Sequence, residues 1–208
     1  MSRKWLRERR KDYYYHLAKK ENYRSRAAYK LMYIQDKYSI IKEGDAVVDL
    51  GCAPGGWLQV AQKLAGNSGI VFGIDIVEIE PLEGVVFIRG NFLREETQKK
   101  LLEAIRAAGR EYVDVVLSDM SPNISGNYSI DHARSVELVT SAFEFACKVL
   151  GAGGNFVAKV FQGDMYALLL EKLSVKFRFV KGYKSEASRK SSSEIYIVCK
   201  GYGMKGGR

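Results

Sequence analysis

Ala46-Val47-Val48-Asp49-Leu50-Gly51-Cys52-Ala53-Pro54-Gly55-Gly56-Trp57 runs an apolar stretch straight into a glycine-rich turn. Ala46–Leu50, bounded by Gly44-Asp45 and Gly51, reads as a buried strand, and Trp57–Ala65 as the helix that follows, stopped by Gly66-Asn67. A glycine turn at the carboxyl end of a first strand is where an open α/β sheet binds a ligand, since glycine lets backbone and ligand approach closely. The spacing is G-x-x-x-G-G, which matches neither the dinucleotide fingerprint nor the phosphate loop. Trp57 stands where a pyrophosphate would require small residues, so the loop suits an uncharged or cationic nucleoside.

Outward from this stretch, strand-like and helix-like segments alternate. Strands are predicted over Ile70–Ile74, Val85–Ile88, Tyr112–Ser118 and Asn155–Phe161. Helices are predicted over Glu95–Ala108, Asp131–Leu150 and Met165–Leu173, the second stopped by Gly151-Ala152-Gly153-Gly154. Such alternation implies parallel pairing through right-handed crossovers, hence an α/β fold with a mostly parallel sheet covered on both faces. Two closing strands, Phe177–Tyr183 and Glu194–Lys200, are separated only by Lys184–Ser193, so they should form an antiparallel hairpin. Ahead of the sheet, Ser25–Tyr38 reads as a helix with Ser25 as its N-cap. Ala27, Leu31, Ile34 and Tyr38 share one face there, and Lys30 borders it. No internal repeat or linker marks a second domain. A basic, tyrosine-rich segment over residues 1–24 precedes one domain over 25–208.

Composition narrows the class. With 208 residues, 47% hydrophobic and 27% charged, the chain is neither disordered nor fibrous and can hold a core without disulfides. Cys52, Cys147 and Cys199 are widely spaced, and His16 and His132 stand apart, so neither a disulfide framework nor a metal site is expected. The first residues lack the apolar run of a signal peptide, and no stretch approaches the roughly 18 apolar residues of a membrane span. The expected setting is cytoplasmic, without a membrane partner, and the expected state is a monomer. The net charge of +9 is unevenly distributed: residues 1–30 and 172–208 each carry +8, and the middle carries −7. Basic ends interleaved with Tyr13, Tyr14, Tyr15, Tyr23, Tyr29 and Tyr33 suit a polyanion with unpaired bases, which points to RNA.

Three further positions bear on the ligand. Asp75 ends the second strand, 24 residues after Gly51, where an acid can accept both hydroxyls of a ribose. S-adenosylmethionine has that ribose, no phosphate, and a sulfonium that tolerates carboxylates. Gly90-Asn91-Phe92 follows the third strand, where a side chain can reach an adenine, and Ser118-Asp119-Met120-Ser121-Pro122-Asn123 follows the fourth.

Five blocks in order, Ser25–Leu31, the loop through Trp57, Ser118–Asn123, Val157–Gly163 and Ser193–Tyr196, resemble the FtsJ-like ribosomal RNA large-subunit 2′-O-ribose methyltransferases. The resemblance covers about residues 12–200. It implies a Rossmann-like sheet with an antiparallel last strand. It also implies a catalytic set of Lys30, Asp119, Lys159 and Glu194, with S-adenosylmethionine contacts from Gly55, Trp57, Asp75 and Asp119. The family usually has an acid where this chain has Asn91, whose amide oxygen can still accept from an adenine amine. The stretch Asp12–Arg26 is more similar to archaeal and eukaryotic members, some of which act on tRNA.

The implied reaction explains the residue types. A ribose 2′-hydroxyl is a weak nucleophile and must lose its proton as the methyl transfers. Lys159, inside the apolar run Phe156–Phe161, is placed either to take that proton or to stabilise the alkoxide. Burial and the second cation at Lys30 favour a neutral lysine, while Asp119 and Glu194 oppose it. The expected activity is methylation of a uridine in large-subunit ribosomal RNA, the first of three readings. A tRNA anticodon-loop 2′-O-methyltransferase and a non-catalytic RNA-binding assembly factor are the other two.

Overall fold

β1 (Ala46–Leu50) is buried along its whole length. Its flanking strands are β2 (Ile70–Asp75) and β4 (Val113–Ser118), both parallel to it. The computed structural model describes residues 13–189 and 192–204, so the basic residues before Tyr13, and Lys190 and Ser191 of the hairpin loop, lie outside the described residues. β3 (Val85–Arg89) extends the sheet beyond β2, and β5 (Leu150–Phe161) pairs parallel with β4. β6 (Phe177–Tyr183) and β7 (Glu194–Tyr202) form the antiparallel hairpin, with β7 inserted beside β5. The strand order is β3-β2-β1-β4-β5-β7-β6.

The period of two along each strand divides the core between the faces. Val47, Val115, Leu117, Val157, Tyr196 and Val198 pack with α2 (Ala27–Tyr38) and α3 (Gly56–Ala65). Val48, Leu50, Val116, Phe156, Ala158 and Ile197 pack with α4 (Glu95–Ala107), α5 (Tyr128–Val149) and α6 (Tyr166–Ser174). A short α1 (Tyr13–Lys20) docks through Ala18 onto Tyr29 and Ala187. Leu31 and Ile34 of α2 are fully buried, and each contributes about 1.5–3 kcal/mol on that account.

Three local expectations are corrected. α2 begins with Arg26 at its N-cap position and no side-chain cap, so Ser25 does not cap it. Ser25 instead packs its hydroxyl against Gly56, where an added Cβ would come within 2.3 Å of Oγ. The most buried residues of α2 are Ala28, Tyr29, Lys30, Leu31 and Ile34, and Ala27 and Tyr38 pack half-buried against the same core as Leu31 and Ile34, as their spacing predicts. α5 starts at Tyr128, because Asn127 Oδ1 accepts from the backbone N–H groups of Ser129 and Ile130 at 3.1 and 3.3 Å. Gly151–Gly154 opens β5 instead of forming a stop loop, and the pairing with β4 slips between Val113 and Val115 to absorb the extra residues.

Candidate active site

The glycine turn leaves β1 at its carboxyl end. Gly51 has φ +74°, and a Cβ there would lie 2.4 Å from Met120 Cγ, so the close approach of the β4 exit requires glycine. Gly55, at φ +106°, is the N-cap of α3 and faces Arg24; it lines neither of the two cavities beside the turn.

The larger cavity, about 350 Å³, is lined by Gly51, Asp75, Asn91, Phe92 and Asp119 among others. Asp75 accepts from Ala53 N–H through Oδ2 and from Val77 N–H through Oδ1, both at 2.9 Å. Those bonds fix the carboxylate, and each oxygen keeps a second lone pair. Asn91 is exposed, and its Oδ1 accepts from Leu93 N–H at 3.0 Å, so only part of its acceptor capacity remains for a ligand. A smaller cavity of about 130 Å³ opens onto Gly51, Ala53 and Asp119 as well, and adds Asp49 and Trp57. Trp57 is buried; its indole N–H donates to Ala27 O at 2.8 Å, and its ring lies 5.6 Å from that of Tyr196.

Lys30, Asp119, Lys159 and Glu194 come together where α2, the β4 exit, β5 and β7 meet. Lys30 Nζ lies 2.9 Å from Glu194 Oε2, and Lys159 Nζ lies 3.1 Å from Asp119 Oδ1. Lys159 Nζ also donates to the main-chain oxygen of Asp119 at 2.7 Å. Antiparallel register explains the assembly: Lys159 pairs with Tyr196, and Phe161 with Glu194. Tyr196 joins the two ion pairs, donating to Asp119 Oδ1 at 2.8 Å while its ring centroid lies 5.6 Å from Lys30 Nζ. His132 secures the end of β5 beyond Lys159. Its Nε2 accepts from Met165 N–H at 3.1 Å, which leaves Nδ1 to donate to Phe161 O at 2.8 Å.

Electrostatics separate the carboxylates. Burial acts to raise Asp119, but the Lys159 and Lys30 ammoniums and the hydrogen bonds from Tyr196 and Lys159 outweigh it and hold the carboxyl below its ordinary value. Asp49 goes the other way. Burial, then the neighbouring Asp119 and Asp75, push it well above the usual carboxylate range. Neither Asp49 oxygen has a hydrogen-bond partner. Burial, with Asp119 and Glu194 nearby, raises the Tyr196 phenol strongly, so it is a donor across the physiological range.

Next to the Lys30–Glu194 pair lies a further cavity of about 340 Å³, lined by Arg26, Lys30, Arg189, Ser192 and Glu194. It joins Arg26 and Lys30 from one basic end of the chain to Arg189 from the other.

Sequence reasoning passed over Asp49 and Tyr196 as site residues. Tyr196 carried a signal, since it stands two residues after Glu194 on a strand and therefore shares its face. Asp49 sat in plain view as the one charged residue of an apolar strand.

A model of the FtsJ-like methyltransferase family matches residues 23–202. A relative from Methanosarcina acetivorans, named Ribosomal RNA large subunit methyltransferase E, is 56% identical over 191 residues, covering 92% of this chain and 68% of its own. One of the same name from Methanocaldococcus jannaschii is 49% identical over 202 residues, covering 96% and 82%. Among solved structures, a Plasmodium falciparum ribosomal RNA methyltransferase superposes with a TM-score of 0.78 at 33% identity, covering 86% of this chain and 98% of that one.

Proposed function

Because the chain belongs to the FtsJ-like methyltransferase family, we propose that it methylates a ribose 2′-hydroxyl of RNA, in a uridine of large-subunit ribosomal RNA, with S-adenosylmethionine as donor. The observation that carries the reading is the convergence of the Lys30–Glu194 and Lys159–Asp119 pairs on one Tyr196 side chain beside the glycine-turn cavities.

The residues present fit the donor. Asp75 in the larger cavity suits a ribose diol, with Asn91 at its rim for the adenine amine. The unpartnered Asp49 carboxyl suits the cationic amino-acid end, since a buried acid without a donor or counter-charge is costly by itself. Gly51 and Asp119 border both cavities, and Gly55 and Trp57 hold the turn and its wall. When bound, the donor supplies an electrophilic methyl group, and no metal is needed for that chemistry.

The protein's contribution is to hold the acceptor. Lys159 Nζ directs two N–H bonds at Asp119, and its remaining position, a lone pair in the neutral amine or an N–H in the ammonium, is left for the substrate oxygen. Lys30, held by Glu194, supplies a second cation to the same oxygen. Positioning of this kind contributes up to roughly 7–11 kcal/mol to rate. Lys159 either takes the hydroxyl proton as a neutral amine or, already an ammonium, stabilises the developing alkoxide while the proton passes to water; ionised Asp119 offsets the lysine's positive charge in both cases. Arg26 and Arg189, at the cavity beside Lys30, are placed for the phosphates flanking the target.

Mapping ribose methylation in ribosomal RNA and tRNA from cells with and without the protein tests the reading. One large-subunit 2′-O-methyl group should vanish. Loss confined to tRNA would move the substrate, and no loss in either RNA would overturn the proposal.

A further inference from the structure

A basic cavity of about 450 Å³ lies at the other end of α2 from the quartet, between the end of that helix, the start of β6 and the end of β7. Lys30 stands eight residues before Tyr38 on α2, so the cavity is about 12 Å along the helix from the quartet. Lys37, Lys42, Arg178 and Lys200 all line it, and no carboxylate does. None of these four cations forms an ion pair among the described residues.

Two of the cations are held in place. Lys200 Nζ donates to Tyr38 O at 2.5 Å, and Lys37 Nζ stands 5.0 Å from the Tyr183 ring centroid. The wall also carries Phe179, 38% exposed, its ring 6.0 Å from that of Tyr38. Asn155, buried at the floor, binds Ile40 O through its amide nitrogen at 2.7 Å and leaves Oδ1 without a partner. Four like charges gathered in one concavity repel each other, and no carboxylate among the lining residues offsets that cost. Such a cluster suits successive phosphodiesters better than one small anion, and an exposed ring among the cations suits an unpaired base.

We propose that this cavity is a second RNA site, which takes a single-stranded segment flanking the target: phosphates on Lys42, Arg178 and Lys200, and a base against Phe179. The inference rests on RNA being the substrate. It adds that the RNA follows α2 from the quartet to the opposite end of the sheet, so affinity is built at two places and chemistry at one.

The test is binding of a fluorescent single-stranded RNA of about 20 nucleotides across a salt series, with methyl-donor affinity measured alongside. The double variant Lys42→Gln/Arg178→Gln should bind at least ~10-fold more weakly, and its salt slope should fall by about 1.4, for two lost contacts at ~0.7 each. Phe179→Ala should weaken binding about 5-fold or more with the slope unchanged. Donor affinity should stay at the wild-type value in every variant. Wild-type binding that both variants retain within about 2-fold would overturn the second site and leave the functional reading intact. A wild-type protein that neither binds nor methylates RNA would overturn both. A larger loss for duplex than for single-stranded RNA would overturn the single-stranded assignment.

Discussion

Tyr196 donates its phenolic proton to Asp119 Oδ1 at 2.8 Å, and that same oxygen lies 3.1 Å from Lys159 Nζ. One carboxylate oxygen thus ties the β4 exit to β5 and β7, its successive neighbours in the sheet. The bond is charge-assisted and shielded from water, so it holds the quartet's geometry and keeps Asp119 ionised.

Replacing Tyr196 with Phe removes the donor and little else. Loss of a hydrogen bond to a charged group costs about 1.5–3 kcal/mol. Thermal unfolding should therefore occur at a lower temperature, and kcat should fall about 10-fold or more. Donor affinity should change little, because the phenol lines neither turn cavity. An unchanged melting temperature would mean the bond contributes nothing to the fold.

Asp49 and Asp119 predict opposite pH effects on stability. Asp119 is lowered in the folded state, so its contribution is present above its unfolded value, near 3.9, and is lost as pH falls toward the depressed folded value. Asp49 is raised, so the folded state binds its proton more tightly and stability declines as pH rises from the unfolded value through the folded one. Asp49→Asn removes that decline. Without donor, the variant should gain stability relative to wild type as pH increases from about 4 to 8, measured by urea unfolding. Donor affinity should fall in the same variant. A constant stability difference across that range would show that Asp49 does not titrate there.

Much of this was legible in the sequence because it was local. The β1 run, the glycine turn and the spacing to Asp75 follow from neighbouring residues, and the hairpin follows from a loop too short for a crossover. The convergence of Lys30 with Glu194 is different. It depends on β7 entering the sheet between β5 and β6, a pairing of residues 164 positions apart that no spacing rule supplies. Gly151–Gly154 do end the preceding helix, at Val149, but their place in β5 was not legible, since it rests on the β4–β5 register shift that absorbs the surplus residues. Ser25 looked like a cap by type alone, whereas its hydroxyl is committed to packing on Gly56.

Lys159→Met separates chemistry from binding. Removing one member of a buried pair leaves Asp119 uncompensated and costs about 3–5 kcal/mol, so the variant belongs at a temperature well below its own melting point. There, turnover should be lost while donor affinity stays within about 2-fold of wild type. Equal loss of both would make Lys159 a structural residue.

Asp75 tests the donor site from the other side. Both of its oxygens bind backbone N–H groups, so Asp75→Ala disturbs the turn as well as any ligand contact. Asp75→Asn keeps one acceptor oxygen and the side-chain volume, and turns the other oxygen into a donor that faces a backbone N–H. Both variants should weaken donor binding by about 10-fold or more, alanine the more strongly, since a ribose diol loses its acceptor. At saturating donor, kcat should remain near the wild-type value, because the Asp75 carboxylate lies at the end of β2, away from the Lys159–Asp119 pair. Isothermal titration and initial rates distinguish the two effects: a fall in kcat with donor affinity intact would place Asp75 in the chemistry and not in the binding of the donor.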